Sequence, residues 1–139
     1  MSSQQQWITE TSSPAYQAVA PDLAHAASRY QYQREREADH LTRMANVDLA
    51  APWSGGVRDL VLATRAEVND AREARDRFRV HVHAFVRDAR AEGAELSGAL
   101  KRVRLLLQRL EASGAIRDDG GWFEAEVLEW AVEDFVQAD

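Results

Sequence analysis

The chain has 139 residues, of which 45% are hydrophobic and 29% are charged, and it contains no cysteine. This length fits a single domain, and the missing cysteine excludes disulfide scaffolds, thiol catalysis and metal sites built only from cysteine. The 17 basic and 23 acidic side chains give a net charge of −6, which opposes nucleic-acid binding by the whole molecule.

The N-terminal residues predict a polar tail rather than a targeting signal. Residues 1–6 lack the basic region and apolar core of a signal peptide, and no apolar run reaches the roughly 18 residues of a membrane span. We therefore expect a cytoplasmic protein, and its use of arginine and alanine is typical of a GC-rich bacterial genome. Residues 1–14 are too polar to bury much surface, so we expect a flexible tail before a single helical domain at 15–139. Trp7 is a candidate partner-binding residue within that tail.

The first long helix is predicted to begin at Pro21, because proline suits the first turn of a helix. Its apolar spacing continues through a charged middle, and the series is Leu23, Ala27, Tyr30, Arg34, Glu37, Leu41 and Met44. The segment from Asp48 to Gly56 contains Pro52 and a glycine pair, so it predicts a turn.

The second helix is predicted from Val57 to about Ala91, a stretch without glycine or proline. The residues of its seam, the side expected to face the neighbouring helix, recur at alternating intervals of three and four residues over four heptads. This is the strongest pattern in the sequence. The seam residues are Val61, Thr64, Val68, Ala71, Arg75, Phe78, Val82, Phe85 and Ala89.

Two shorter helices are predicted to follow. Leucines and valines from Leu96 to Leu110 form a broad apolar stripe, and Gly114 lies just beyond its end. The last helix, from about Trp122 to Val136, is apolar around most of its circumference. The sequence therefore predicts an all-α bundle, built on a long antiparallel helical hairpin with two shorter C-terminal helices.

The hairpin register predicts a polar layer. A turn near Pro52 sets Met44 opposite Val61 and Tyr30 opposite Arg75. Glu37 would then pair with Arg34, or with Arg75 at full stretch. A buried layer would fix the register of the hairpin, whereas an exposed ion pair would contribute no more than about 1 kcal/mol.

One half of the hairpin is predicted to lack cover. The two short helices cover the end around Phe78 to Ala89, which leaves Leu41, Met44 and Val68 as candidate partner-binding residues, and Trp53 of the loop is a further candidate. A second copy or another protein would complete this half. The alternative is that the tail and the loop containing Trp53 cap it.

The charges are divided unevenly along the chain. Residues 57–117 carry 13 basic and 9 acidic side chains, whereas residues 118–139 carry 8 acidic and no basic ones. We expect the acidic last helix to neutralise arginines, either in the same molecule or in a neighbour. An arginine surface of Arg65, Arg72, Arg79 and Arg87 could contact nucleic acid, but few aromatic residues accompany it and the net charge opposes it, so no nucleic-acid partner is expected.

No motif of an enzyme is present, and neither catalysis nor a cofactor is expected. Hydrolase nucleophile elbows and glycine-rich phosphate loops are absent. Glu37-Ala38-Asp39-His40 has the Glu-x-x-His spacing of di-iron bundles, but a single copy requires a symmetric dimer to make a metal site. A metal-binding oligomeric bundle remains an alternative.

Residues Leu23 to Arg29 resemble the helix around the phosphoacceptor of histidine phosphotransfer domains. That family has Lys three residues and Gly four residues after the histidine, whereas Ser28 and Arg29 occupy those positions after His25. The resemblance implies a phosphorelay intermediate with His25, or alternatively His40, as phosphoacceptor.

Trp53-Ser54-Gly55 resembles the turn of the Trp-x-Gly proteins exported by type VII secretion. The tail signal of that family, a Tyr followed four residues later by an acid, is missing because no Tyr lies beyond Tyr32. The sequence therefore favours a non-catalytic helical interaction or assembly module that binds a protein partner or forms a homo-oligomer.

Overall fold

A computed structural model describes residues 20–47, 55–117 and 121–137. Four helices make up this part of the chain: α1 (Pro21–Ala45), α2 (Gly55–Ala91), α3 (Leu96–Ala112) and α4 (Trp122–Gln137). No strand occurs among these residues, so the predicted all-α class is confirmed. The predicted tail, with Trp7, and most of the predicted turn, with Trp53, lie outside the described residues.

The ends of the helices follow from proline and glycine. Pro21 occupies the first turn of α1, as predicted, and Asp22 beside it complements the positive end of the helix dipole. Gly93 and Gly114 follow α2 and α3 with φ of +92° and +81°, a conformation that costs glycine little. The predicted break reached Gly56, but α2 begins at Gly55, because glycine is tolerated at a helix N-terminus.

Contacts between side chains show how the four helices are oriented and packed. Arg36 of α1 contacts Glu67 of α2, whereas His25 shares a groove with His81, so the two helices run antiparallel. On α4, Glu126 contacts Tyr30 and Glu133 contacts Arg79. α4 therefore lies against both long helices, and α3 packs on α2 and α4.

The core is centred on four aromatic rings, those of Tyr30, Phe78, Phe123 and Trp130. Tyr30 lies 6.1 Å from Phe78, 5.9 Å from Phe123 and 5.5 Å from Trp130, measured between ring centroids. Buried aliphatic residues surround them, namely Leu23 and Ala27 of α1, Val82 and Val86 of α2, Val103, Leu106, Leu107 and Leu110 of α3, and Val127 of α4. Burial of such side chains is the main stabilising contribution to the fold.

One predicted seam position is wrong. Arg75 is exposed, with 45% of its side chain accessible, whereas the adjacent Ala74 is buried at 3%. Ala74 and Phe78 are one helical turn apart and face α1 together, where a small alanine permits close approach of the helices. Within the described residues, no helix is long and apolar enough to cross a membrane.

Candidate interaction surface

The two long helices extend well beyond the core. The core cluster ends at Tyr30 on α1 and at Ala74 on α2. We call the part beyond it, residues 36–47 of α1 and 55–68 of α2, the arm. None of the apolar side chains of the arm belongs to the core cluster, so the arm depends on contacts between its own two helices among the described residues.

One side of the arm is closed by polar contacts. The guanidinium of Arg36 donates hydrogen bonds to both carboxylate oxygens of Glu67, with the shortest distance 2.9 Å. This contact lowers the pKa of Glu67 and raises that of Arg36. His40 is buried beside it, with Nδ1 2.9 Å from the carbonyl oxygen of Arg36. The Arg36–Glu67 pair joins α1 to α2 near the core end of the arm, and the contact of His40 is within α1.

The other side of the arm is a groove. Next to the N-terminal end of α4, Val68 lines a cavity of about 140 Å³ that it shares with Glu126. Leu41 lines a second cavity, of about 230 Å³, that it shares with Trp122. Met44 and Val61 lie one heptad beyond Glu37 and Val68, on the same sides of their helices. We call the surface formed by Leu41, Met44, Val61 and Val68 the arm groove.

The four residues of the arm groove are apolar and partly open to solvent, and charged side chains such as Arg34 and Glu37 line the cavities beside Leu41 and Val68. Leu41 is 48% exposed, and the other three residues are half-buried. Leu41 lies one heptad from Arg34, which contacts Glu126 of α4, and Val68 lies three turns from Arg79, which contacts Glu133 of α4. Both residues are therefore on the sides of their helices that face α4 in the core half of the molecule. Three residues of the arm groove, Leu41, Met44 and Val68, were predicted as partner-binding residues, and the structure brings Leu41 and Val68 to the same end of α4.

The polar layer lies where the core meets the arm. Arg34 pairs with Glu37 at 3.1 Å and with Glu126 of α4 at 3.5 Å, and its guanidinium lies 5.2 Å from the ring centre of Trp122. Arg75 lines the same cavity as Arg34 and Glu37, but its ion pair is with Asp76, at 3.6 Å. The layer therefore joins α1 to α4 rather than α1 to α2.

Sequence reasoning missed the partners that α4 brings to this layer. The buried hydroxyl of Tyr30 donates a hydrogen bond to Glu126. Burial and the neighbouring carboxylate raise the pKa of Tyr30 above its ordinary value. The acidic composition of α4 indicated that it would meet arginines, but no pattern set its register against α1.

The acidic last helix neutralises arginines of its own molecule. Glu133 pairs with Arg79 at 2.6 Å, and the same guanidinium lies over Trp130 at 5.6 Å. Glu124 pairs with Arg104 of α3 at 3.1 Å. Arg79, which sequence reasoning placed in a possible nucleic-acid surface, is thus occupied by α4.

Three further arginines lie along the arm groove and are not paired with an acidic side chain among the described residues. Arg58, Arg65 and Arg72 are spaced seven residues apart and therefore lie on one side of α2, in line with Arg79. All three are exposed, and none has an ion pair or hydrogen bond with another described residue. We call them the arginine row. Arg58 was not predicted, although the seven-residue spacing could have found it.

The histidines lie in separate places. His25 is exposed and lines a groove of about 350 Å³ between α1 and α2, together with Arg29, Arg77 and His81. His83 has Nδ1 3.5 Å from Asp134. The described ranges contain no cluster of three histidine or carboxylate groups able to hold a metal ion. Any metal site using Glu37 and His40 would need groups from elsewhere.

Comparison of the chain with models of protein families, with curated proteins and with solved structures found no match. The features of the molecule that bear on its function are the arm groove, the polar layer and the arginine row.

Proposed function

We propose that the protein is a non-catalytic helical interaction or assembly module that docks its partner on the arm groove. One observation carries the proposal: beyond Trp122, the sides of α1 and α2 that face α4 in the core carry four partly exposed apolar residues, and none of these four belongs to the core cluster. They are Leu41, Met44, Val61 and Val68. Half-exposed apolar side chains on both walls, such as Leu41 and Val68, are typical of a surface that a partner buries.

The chemistry beside the groove supports a structural rather than a catalytic role. Glu37 is engaged by Arg34, and Glu126 is engaged by both Arg34 and the hydroxyl of Tyr30. This arrangement is typical of a structural ion-pair layer.

Site-specific photo-crosslinking in cells of the source organism tests the proposal. A benzophenone amino acid at Val68 is expected to capture one defined protein or a second copy of the chain. The same amino acid at Val136, which is 67% exposed on α4, is the control and is expected to capture neither. Adding Leu41→Ser to the Val68 variant should abolish the crosslink. Equal crosslinking at Val68 and Val136 would refute docking on the arm groove.

Mass measurement in solution separates self-association from binding of another protein. A self-associating module should grow in mass with concentration, and Val68→Ser should prevent this. Growth only with added iron or zinc, lost in His40→Ala, would instead support the metal-binding oligomeric bundle, in which two copies each supply Glu37 and His40.

Histidine phosphotransfer is a second candidate function, and the surroundings of His25 favour it over His40. The imidazole of His25 is exposed, and Arg29 and Arg77 line the same groove as potential partners of a phosphoryl group. His40 is buried, and its Nδ1 is engaged by a backbone carbonyl. Incubation with phosphoramidate should leave acid-labile phosphate that is absent from His25→Gln. A wild-type chain without label would eliminate this candidate.

A further inference from the structure

We propose that the natural occupant of the arm groove is an acidic amphipathic helix of another protein, bound in line with α4. This inference rests on the proposed function and adds the chemistry of the partner. Three observations carry it: the way in which α4 binds its own part of the groove, the arginine row beyond α4, and the state of the carboxylates nearby.

The first observation is that α4 already shows what this groove binds. Its apolar residues Phe123, Val127 and Trp130 are buried between the other helices. Its carboxylates reach arginines on both walls, with Glu126 at Arg34 of α1 and Glu133 at Arg79 of α2. The core half of the groove therefore accepts a helix with one apolar side flanked by acids.

The second observation is that the arginines continue where α4 ends. Arg72 lines the cavity next to Glu126, and Arg65 and Arg58 follow at successive heptads along the arm. They stand beside Val68 and Val61, on the same wall as Arg79. A helix lying in the arm groove would find on this wall the same apolar and cationic groups that α4 finds further along.

The third observation is that nearby acids do not cancel the arginine row. Glu37 is paired with Arg34, and Glu67 is paired with Arg36. Asp59 and Asp70 lie two residues before Val61 and Arg72, which places them about 200° away around α2. Asp76 lies one turn beyond Arg72 on the same side, at the core end of the row, and it is paired with Arg75 at 3.6 Å. The wall of the arm groove formed by α2 therefore carries excess positive charge, which favours an acidic partner.

The same observations disfavour the other occupants. A second copy has no free acidic helix, because the apolar side of its α4 is buried in its own core. Its arm would also bring a second arginine row. Residues 1–19 contain a single acidic side chain, Glu10, and so cannot match three arginines.

Fluorescence anisotropy with two designed helical peptides tests this inference on the full-length protein. Both peptides carry the same leucine face, and one has glutamates on its flanks where the other has lysines. The glutamate peptide is expected to bind, with an affinity that falls as salt is added. Arg65→Gln with Arg72→Gln should weaken its binding about fivefold to tenfold, and Val68→Ser should also weaken it. Arg87→Gln with Lys101→Gln is the matched control, because both residues are exposed cations away from the groove.

The outcomes distinguish this inference from the proposed function. Equal binding of both peptides, or no effect of the arginine substitutions in variants with unchanged circular dichroism, would overturn the acidic-helix assignment. A dimer that Val68→Ser dissociates, with no peptide bound, would make a second copy the occupant and leave the proposed function intact. If neither peptide binds and Val68 captures no protein in cells, both proposals fail.

Discussion

Gln31 of α1 holds the backbone of Arg117 through two hydrogen bonds, although the residues are 86 positions apart. Its amide nitrogen donates to the carbonyl of Arg117 at 2.7 Å, and the backbone nitrogen of Arg117 donates to its amide oxygen at 2.8 Å. The side chain thus replaces the partner that a peptide group would otherwise find in secondary structure. This contact ties the segment that follows α3 to α1.

Replacing Gln31 should destabilise the protein because two backbone groups lose their partner at once. Gln31 is 3% exposed, so we expect Gln31→Ala to lower the free energy of unfolding by about 1 to 3 kcal/mol. Urea unfolding followed by circular dichroism measures this. Gln108→Ala is the control, because Gln108 is exposed on α3 and should change the stability by no more than about 0.5 kcal/mol. Equal midpoints for both variants would show that the contact contributes nothing.

Removing one hydroxyl tests the link between α1 and α4. Tyr30→Phe removes the hydroxyl that donates to Glu126, whose carboxylate then keeps only the ion pair with Arg34, so we expect a loss of about 1 to 3 kcal/mol in unfolding free energy, as for a hydrogen bond to a charged group. Tyr32→Phe makes the same chemical change at a side chain that is 54% exposed, and it should have little effect. The two variants can be compared by urea titration, and a larger effect at Tyr32 would contradict the assignment.

The raised pKa of Tyr30 predicts a loss of stability in alkaline solution. Below the ordinary tyrosine pKa of about 10 the contribution is complete, because Tyr30 is protonated in both states. As the pH rises further, Tyr30 ionises in the unfolded chain but stays protonated in the fold, so unfolding becomes easier. Urea midpoints between about pH 9 and pH 11 should fall more steeply in the wild type than in Tyr30→Phe. Parallel curves would show that Tyr30 does not cause the loss.

Alanine substitutions at two glycines should change the stability of the protein in opposite directions. Gly93 has φ of +92° and an added Cβ would meet no atom within 4 Å, so Gly93→Ala should cost about 1 kcal/mol through backbone strain alone. Gly98 lies within α3, where an added Cβ would make an ordinary contact of 3.7 Å with Ala94. Gly98→Ala should therefore stabilise the protein by about 0.5 to 1 kcal/mol. Thermal unfolding of both variants decides the signs, and a gain at Gly93 would refute the conformational argument.

The fold class could be predicted because local sequence patterns indicate each helix. The threes-and-fours spacing and the positions of Pro21, Gly93 and Gly114 depend on the backbone alone, and the structure has helices where those signals predict them. Spacing also indicated that Leu41 and Val68 would lack cover. Such signals need no knowledge of which helices touch.

The details of contact between distant helices could not be predicted. Ala74 replaces Arg75 at the buried position because the angle at which α1 crosses α2 is set by packing in three dimensions. The partnership of Tyr30 with Glu126 depends on the register of α4, for which the sequence has no marker. The contact of Gln31 with Arg117 could not be predicted from the sequence. Its partner is a backbone peptide group, and a single uncharged glutamine is part of no periodic pattern.

The separation of the core from the arm gives the molecule an adjustable length. Removing one heptad of the arm from each long helix would shorten the arm by about 10 Å and leave the aromatic contacts of the core in place. The core would keep its structure, and only the length of the arm would change. Removing or adding heptads would therefore change the reach of the arm and leave the core that anchors it unchanged.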